Sequence, residues 1–182
     1  MDGYANAGMI EVLENKAQWS EEFRAGWLAH RKETGISDWR IYNRPVNALT
    51  PGLPGIKLTE SRLLLISSAG AYLAERQKPY DAASAYGDYS IRTFPVSTPF
   101  EALAFAHDHY DHDFVDRDPQ VALPLRHLEQ KEADGNIGRL APSVVSFMGY
   151  QPDSARVVDE VIPEIVSHAQ ANDVQAALLA PT

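Results

Sequence analysis

Between Ala104 and Pro119 the sequence reads AFAHDHYDHDFVDRDP, which sets three histidines and five aspartates within about a dozen residues. The His-x-His-x-x-His spacing suggests metal chemistry. If 105–109 is extended, His107 and His109 point to one face, being two apart, and a turn can return His112 to the same point. Three neutral imidazoles with an open fourth position suit a catalytic zinc, iron or manganese ion, with Asp111 or Asp113 assisting. The same residues also fit a substrate site. His107 is then the acid/base candidate, because histidine titrates near neutral pH, and Asp111 is placed to fix its tautomer. Tyr110 would donate one hydrogen bond from a partly apolar body. A third reading is a polar loop rich in His and Asp for solvation and capping. Asp118, just before Pro119, suits an N-cap in that reading. The residues alone leave the three open.

Other stretches supply further candidates. GDYSIR, 87–92, holds Asp88 and Arg92. Arginine recognises carboxylates through two parallel hydrogen bonds, which suits an amino-acid-like substrate, while an Asp88–Arg92 ion pair holding a loop is the structural alternative. SFMGY, 146–150, carries Gly149, where a backbone without a side chain lets a ligand approach, and Tyr150 beside it. Ser68 and Gly70 occupy a similar position after another apolar run. A Ser68–His107–Asp111 triad lacks a G-x-S-x-G elbow and is disfavoured. His30, His127 and His168 fall in helical segments, where solvated or packed roles fit better than ligation.

These residues need elements to position them. SRLLLISSAGAYL, 61–73, opens with a continuous apolar run that stops at small residues, the pattern of a buried parallel strand. Further strands are expected near 102–107, 143–148 and 174–180, with 87–96 as another candidate. Helices are expected near 121–134 and 154–172, with Pro124 confined to the first turn of one and Pro163 kinking or restarting the other. Before them, 8–33 reads as a helix ended at Gly35, and the Pro/Gly-rich stretch 43–55 as an extended linker. Strands alternating with helices predict an α/β domain: a mostly parallel sheet flanked by helices, of the Rossmann-like or flavodoxin-like three-layer kind. The expected division is 1–57, a helix and linker packed on the core, and 58–182, the α/β domain. Such sheets bind ligands at the C-terminal ends of their strands. Ser67 to Gly70, His107 onward, Phe147 to Tyr150 and Ala180 to Thr182 fall there.

Composition narrows the function. The chain has 182 residues, 45% of them hydrophobic, enough for one domain with a real core. A net charge of −9 without a basic patch argues against nucleic acid and anionic membrane as partners. No apolar run reaches the roughly 20 residues of a membrane span, and no signal peptide is apparent, so a cytoplasmic protein is expected. There are no cysteines, which removes disulfides, Cys-ligated zinc, iron–sulfur clusters and thiol chemistry from these residues.

Taken in order, ISSAG, GDYSIRTFP, AHDHYDH with DRDPQVALPLRHL, IGRLAPSVVSFMGY and IPEI with VQAALLAP resemble the selenoprotein B family of the glycine, sarcosine, betaine and D-proline reductases. The D-proline reductase type is the most similar, over roughly 61–182. In that family a selenocysteine or cysteine follows directly after the last strand seen here. It attacks the substrate's α-carbon and cleaves a C–N bond reductively, with electrons from a dithiol. The matching place lies at or just beyond Thr182. The resemblance implies that the positions of His107, Tyr110, Asp111 and Asp118 are widely shared and that His109 and His112 occur in only some members, which weighs against metal. It also implies that this chain taken alone lacks the nucleophile, since no hydroxyl replaces a thiolate at neutral pH. Three explanations stay open: a partner supplies the cysteine, the chain has diverged to other chemistry or to plain binding, or the sequence is truncated. The expectation is a reductase-like subunit for a small amino-acid-like or related substrate, joined to a partner or a second copy through the 174–182 edge. A stand-alone metal-dependent hydrolase or lyase using His107, His109 and His112 is the alternative, and a non-catalytic binding or scaffold protein a third.

Overall fold

The computed structural model describes residues 13–48 and 55–182, and the chain divides into two compact units between Pro54 and Gly55. Each unit stands on its own apolar contacts.

In the first unit a helical segment runs through α1 (Lys16–Phe23), a wider π turn (Arg24–Leu28) and α2 (Ala29–Thr34). The part of the expected helix before residue 13 lies outside the described residues, as do residues 49–54 of the expected linker. Trp19, Phe23 and Trp27 recur every four residues and stack in series, with centroids 5.5 and 5.7 Å apart. Tyr42 returns edge-on to Phe23 and Trp27 at 5.6 and 5.0 Å. The Trp19 indole N–H donates to the Asn43 carbonyl at 2.9 Å, which ties the following segment to the helix. Gly35 closes α2, its N–H donating to the Arg31 carbonyl at 2.8 Å.

The second unit is built on a mixed, mostly parallel sheet. Its strands are β1 (Arg62–Ser67), β3 (Ile91–Pro95), β5 (Arg139–Leu140), β6 (Ser143–Phe147) and β7 (Ala176–Ala180). β1 is central. β5 and then β6 run parallel along one of its edges, and β7 runs parallel along the other. β3 closes the β6 side antiparallel, Ile91 facing Phe147 and Pro95 facing Ser143. The continuous apolar run of β1 follows from this position, because both faces of the strand are covered. Leu63 and Leu65 pack with Phe94, Leu125, Leu128 and Val144. Leu64 and Ile66 pack with Val145, Ile165 and Ala169.

Helices α3 (Asp113–Arg117), α4 (Leu125–Ala133), α5 (Ser154–Arg156) and α6 (Ile162–Ala171) complete the unit. A π turn over Val157–Val161 joins α5 to α6. Pro163 explains it: the ring offers no N–H and crowds the carbonyl four residues back, so the preceding turn widens. One expectation is corrected here. The strand read over 102–107 shortens to β4 (Leu103–Phe105), which pairs antiparallel with β2 (Ala71–Leu73) in a separate ribbon and does not enter the main sheet. Its residues are only half-buried, whereas those of β1 are almost wholly enclosed. No helix among the described residues is long and apolar enough to cross a membrane.

Candidate functional site at the strand ends

The C-terminal ends of β1, β6 and β7 meet, and the loop after β4 lies over them. Gly149 N–H donates to the Ser68 carbonyl at 2.9 Å, Gly70 N–H to Phe147 at 2.9 Å, and Ser68 N–H to Ala180 at 3.2 Å. Thr182 N–H donates to Ser68 Oγ at 2.9 Å, and Thr182 Oγ1 lies 3.1 Å from the same oxygen. The β4 exit is held here by the Ala106 N–H, which donates to the Gly70 carbonyl at 3.0 Å. Gly70 has φ +69°, and a Cβ on it would stand 2.4 Å from the Ala106 carbonyl oxygen. The chain crossing therefore requires glycine, and Gly70 positions the loop rather than a ligand.

His107 is carried into this junction and is only 3% exposed. Its Nδ1 accepts the His109 backbone N–H at 3.1 Å. With Nδ1 accepting, the neutral ring carries its proton on Nε2. Nε2 is buried and has no hydrogen-bond partner among the described residues. It faces Gly149: a Cβ there would lie 3.1 Å from Nε2 and 3.2 Å from Ser68 Oγ. Gly149 itself is exposed, and its missing side chain leaves a niche between the enclosed His107 Nε2 and Ser68 Oγ.

The other candidates divide between this niche and its scaffold. The Tyr110 hydroxyl donates to the Ala69 carbonyl at 3.1 Å, and its ring lies 4.8 Å from that of His107. Burial, reinforced by Asp116, pushes its phenol up to about 12, so it stays protonated and holds the loop to the end of β1. Asp111 is exposed and accepts the Asp113 N–H at 2.9 Å; the group that sets the His107 tautomer is the His109 amide. Asp118 accepts the Gln120 N–H at 3.0 Å, the capping role expected of it. Tyr150 stacks on His109 at 3.8 Å. Asp88 and Arg92 are joined through Ser90. Asp88 accepts from the Ser90 N–H at 2.9 Å and from its hydroxyl, and Arg92 donates to that hydroxyl at 2.7 Å. Arg92 also lies over the Tyr80 ring at 4.5 Å, and its Nε donates to the Lys78 carbonyl. Burial raises the Asp88 pKa, but the hydrogen bonds from Ser90 and Asp81 outweigh it and hold the carboxyl below its usual value. The pair thus anchors the loop before β3. Thr182, which the sequence places only at a strand end, shares hydrogen bonds with Ser68.

The three histidines of the cluster do not gather. His112 Nε2 meets the His107 carbonyl at 2.6 Å, and its ring stacks on Tyr110. Among the described residues no three His, Asp or Glu side chains form a group that could hold a metal ion. A concavity of about 620 Å³ lies between β2, the end of β3 and the 3-10 turn Phe100–Ala102. Its lining includes Arg76 and Thr98 but neither Ser68, His107 nor Gly149, and it offers no buried unpartnered polar atom. The niche is the better candidate because its chemistry is incomplete without a ligand.

Two results are expected at this site. Tyr110→Phe leaves the carbonyl of the buried Ala69 without its donor and should cost about 1–2 kcal/mol in urea unfolding; a change under about 0.3 kcal/mol would mean that the hydroxyl does not hold the loop. The second concerns pH. Burial, with His109 and His112 beside it, lowers the His107 pKa below its usual value, Asp108 opposing. The folded state thus disfavours the imidazolium, which would also set a second N–H against the His109 amide. The sign follows: stability is full above the unfolded histidine value and is lost as pH falls through it towards the folded value. Urea midpoints should fall between about pH 7 and pH 5, and His107→Asn, which keeps the Nδ1-like acceptor, should flatten that part of the profile.

The fold and site define an α/β domain with a small polar niche at the ends of parallel strands. The model of the glycine/sarcosine/betaine reductase selenoprotein B family matches residues 45–182, and the chain belongs to that family. It is 28% identical over 123 residues to the D-proline reductase subunit gamma of Acetoanaerobium sticklandii, covering 68% of this chain and 49% of that protein. It is 31% identical over 152 residues to the sarcosine reductase complex component B subunit beta of Peptoclostridium acidaminophilum, covering 82% of this chain and 34% of that one. The chain thus spans about half of one curated relative and a third of the other. No solved structure matches it significantly.

Proposed function

We propose that the chain is a reductase-like subunit that binds a small amino-acid-like molecule at the ends of β1, β6 and β7. A redox-active thiol or selenol reaches that site from another polypeptide segment. The observation that carries this reading is the buried His107 Nε2, left without a partner over Gly149. Family membership supports the chemistry: reductive C–N cleavage, in which two electrons and two protons from a dithiol end on the separated carbon and nitrogen and the dithiol becomes a disulfide. None of the 182 residues is a cysteine, so the sulfur or selenium nucleophile is not among them. Both curated relatives are named as subunits, which supports work within a complex.

The test is to recover the tagged chain from its native source and assay the recovered material with a dithiol and D-proline, sarcosine, glycine or betaine. A co-purifying cysteine- or selenocysteine-bearing polypeptide together with C–N cleavage is the expected result. A chain that recovers alone and binds none of the four compounds would sink the reading. Elemental analysis of the same material separates the metal-dependent alternative. Substoichiometric zinc, iron and manganese are expected, and one equivalent of any of them would favour the alternative.

A further inference from the structure

The hydrogen-bonding inventory of the niche turns on His107. His107 Nδ1 is occupied by the His109 N–H, which leaves Nε2–H as the ring's only offer. Ser68 Oγ already accepts the Thr182 N–H, and the two hydroxyls share one further bond. Whichever hydroxyl donates across that pair, the other's O–H stays uncommitted. The niche therefore holds the ring N–H and, beside it, a hydroxyl pair that keeps one uncommitted O–H and can also accept. No acceptor among the described residues takes the buried Nε2–H. Leaving such a donor unsatisfied costs about 1–3 kcal/mol, so a structure that keeps one has a partner for it. Gly149 keeps the approach to Nε2 free of a Cβ, which would crowd both His107 and Ser68.

We propose that this niche binds an sp² oxygen of a carboxylate or carbonyl, with His107 as a neutral, tautomer-locked hydrogen-bond donor and not a general acid or base. This rests on the reading of the strand ends as a ligand site and changes the role first expected of His107. A ring whose Nδ1 is held by a backbone N–H has no route to relay a proton through that nitrogen, and Asp111 does not reach it. His107 orients the ligand oxygen, and the Ser68–Thr182 pair secures it.

The test uses the full 182-residue chain with ¹⁵N-labelled histidine, titrated separately with formate, acetamide and methylammonium. Before titration the His107 ring should show a protonated Nε2 and an unprotonated Nδ1. Formate or acetamide should move the Nε2–H signal, and methylammonium should not. A response to formate assigns a carboxylate, a response to acetamide a neutral carbonyl, and a response to both the shared sp² oxygen. If neither moves it, the donor is satisfied by an internal water and the proposal falls. A Nδ1–H tautomer overturns it as well.

Two variants separate ligand contact from a structural role, read from the Gly149 amide signal. His107→Gln keeps a donor near the place of Nε2. His107→Asn keeps an acceptor near the place of Nδ1 and loses the donor. His107→Gln should retain binding of the responding probe, and His107→Asn should weaken it about tenfold or more while remaining folded. Equal binding by the two overturns the proposal. Should either fail to fold, Gly149→Ala serves: it should abolish the probe response with the His107 tautomer unchanged. Failure of the chain to join a reductase complex would sink the functional reading and leave these results standing. A wrong tautomer would do the reverse.

Discussion

Gly70→Ala is expected to destabilise the 55–182 unit by about 3 kcal/mol or more. Two causes add. The backbone at Gly70 has φ +69°, which costs an L residue roughly 1–2 kcal/mol. The new Cβ would also stand 2.4 Å from the Ala106 carbonyl oxygen, a main-chain atom with no rotamer to escape into. Moving it strains the bond from Ala106 N–H to the Gly70 carbonyl, and that bond holds the His107 loop over the strand ends. Gly135→Ala is the control, because Gly135 has φ +73° with open space where a Cβ would go. It should show the backbone cost alone. Urea unfolding of the two variants gives the difference, and a Gly70→Ala cost within about 0.5 kcal/mol of Gly135→Ala would show that the close approach does not hold the loop.

Leu179→Lys is expected to weaken association through the β7 edge by at least about tenfold. β7 bonds to β1 along its length, and its other edge pairs with no strand among the described residues. Leu179 is 65% exposed and Leu178 38%. Register with Ile66 puts Leu179 on the sheet face that α6 covers, and Ile162 and Val166 of α6 are themselves exposed at 44% and 46%. An unpaired parallel edge beside an apolar surface is a place for another chain to add. If the strand-end site is completed by another segment, this edge is where it would dock, burying on the order of 2,000 Å² in total. Covering one leucine contributes about 1.5–3 kcal/mol, so its loss weakens association by at least about tenfold, and a lysine on the edge opposes pairing further. Light scattering at low micromolar concentration, alone and with the recovered partner, reads the effect. An unchanged mass for Leu179→Lys in a chain that does associate would move the interface elsewhere.

Much of the scaffold could be read from local pattern. RLLLIS is apolar at successive positions because β1 is covered on both faces, and a strand buried that way cannot alternate. The helix towards the C-terminal strand, the Pro163 irregularity and the Asp118 cap each rest on short-range chemistry, which sequence carries well, whereas Asp88 and Arg92 fit a substrate carboxylate and a held loop alike. The order of five short stretches also sufficed for the family. The site was less legible. Periodicity reports that a segment is half-buried, not against what, so β4 reads like a sheet strand although it pairs only with β2. The His-x-His-x-x-His spacing permits convergence but does not impose it. The turn after His107 put the His109 amide on Nδ1 and turned Asp111 back to its own loop. The niche depends on contacts between residues far apart in the chain: Ser68 with Thr182 through β1–β7 pairing, and His107 with Gly149 through the crossing at Gly70. The sequence by itself determined which residues can donate, accept or pack, and which segments run as strands or helices. Only the tertiary structure decided that one histidine nitrogen is buried with no partner among the described residues, because that depends on where distant groups such as Ser68, Gly149 and the His109 amide come to lie.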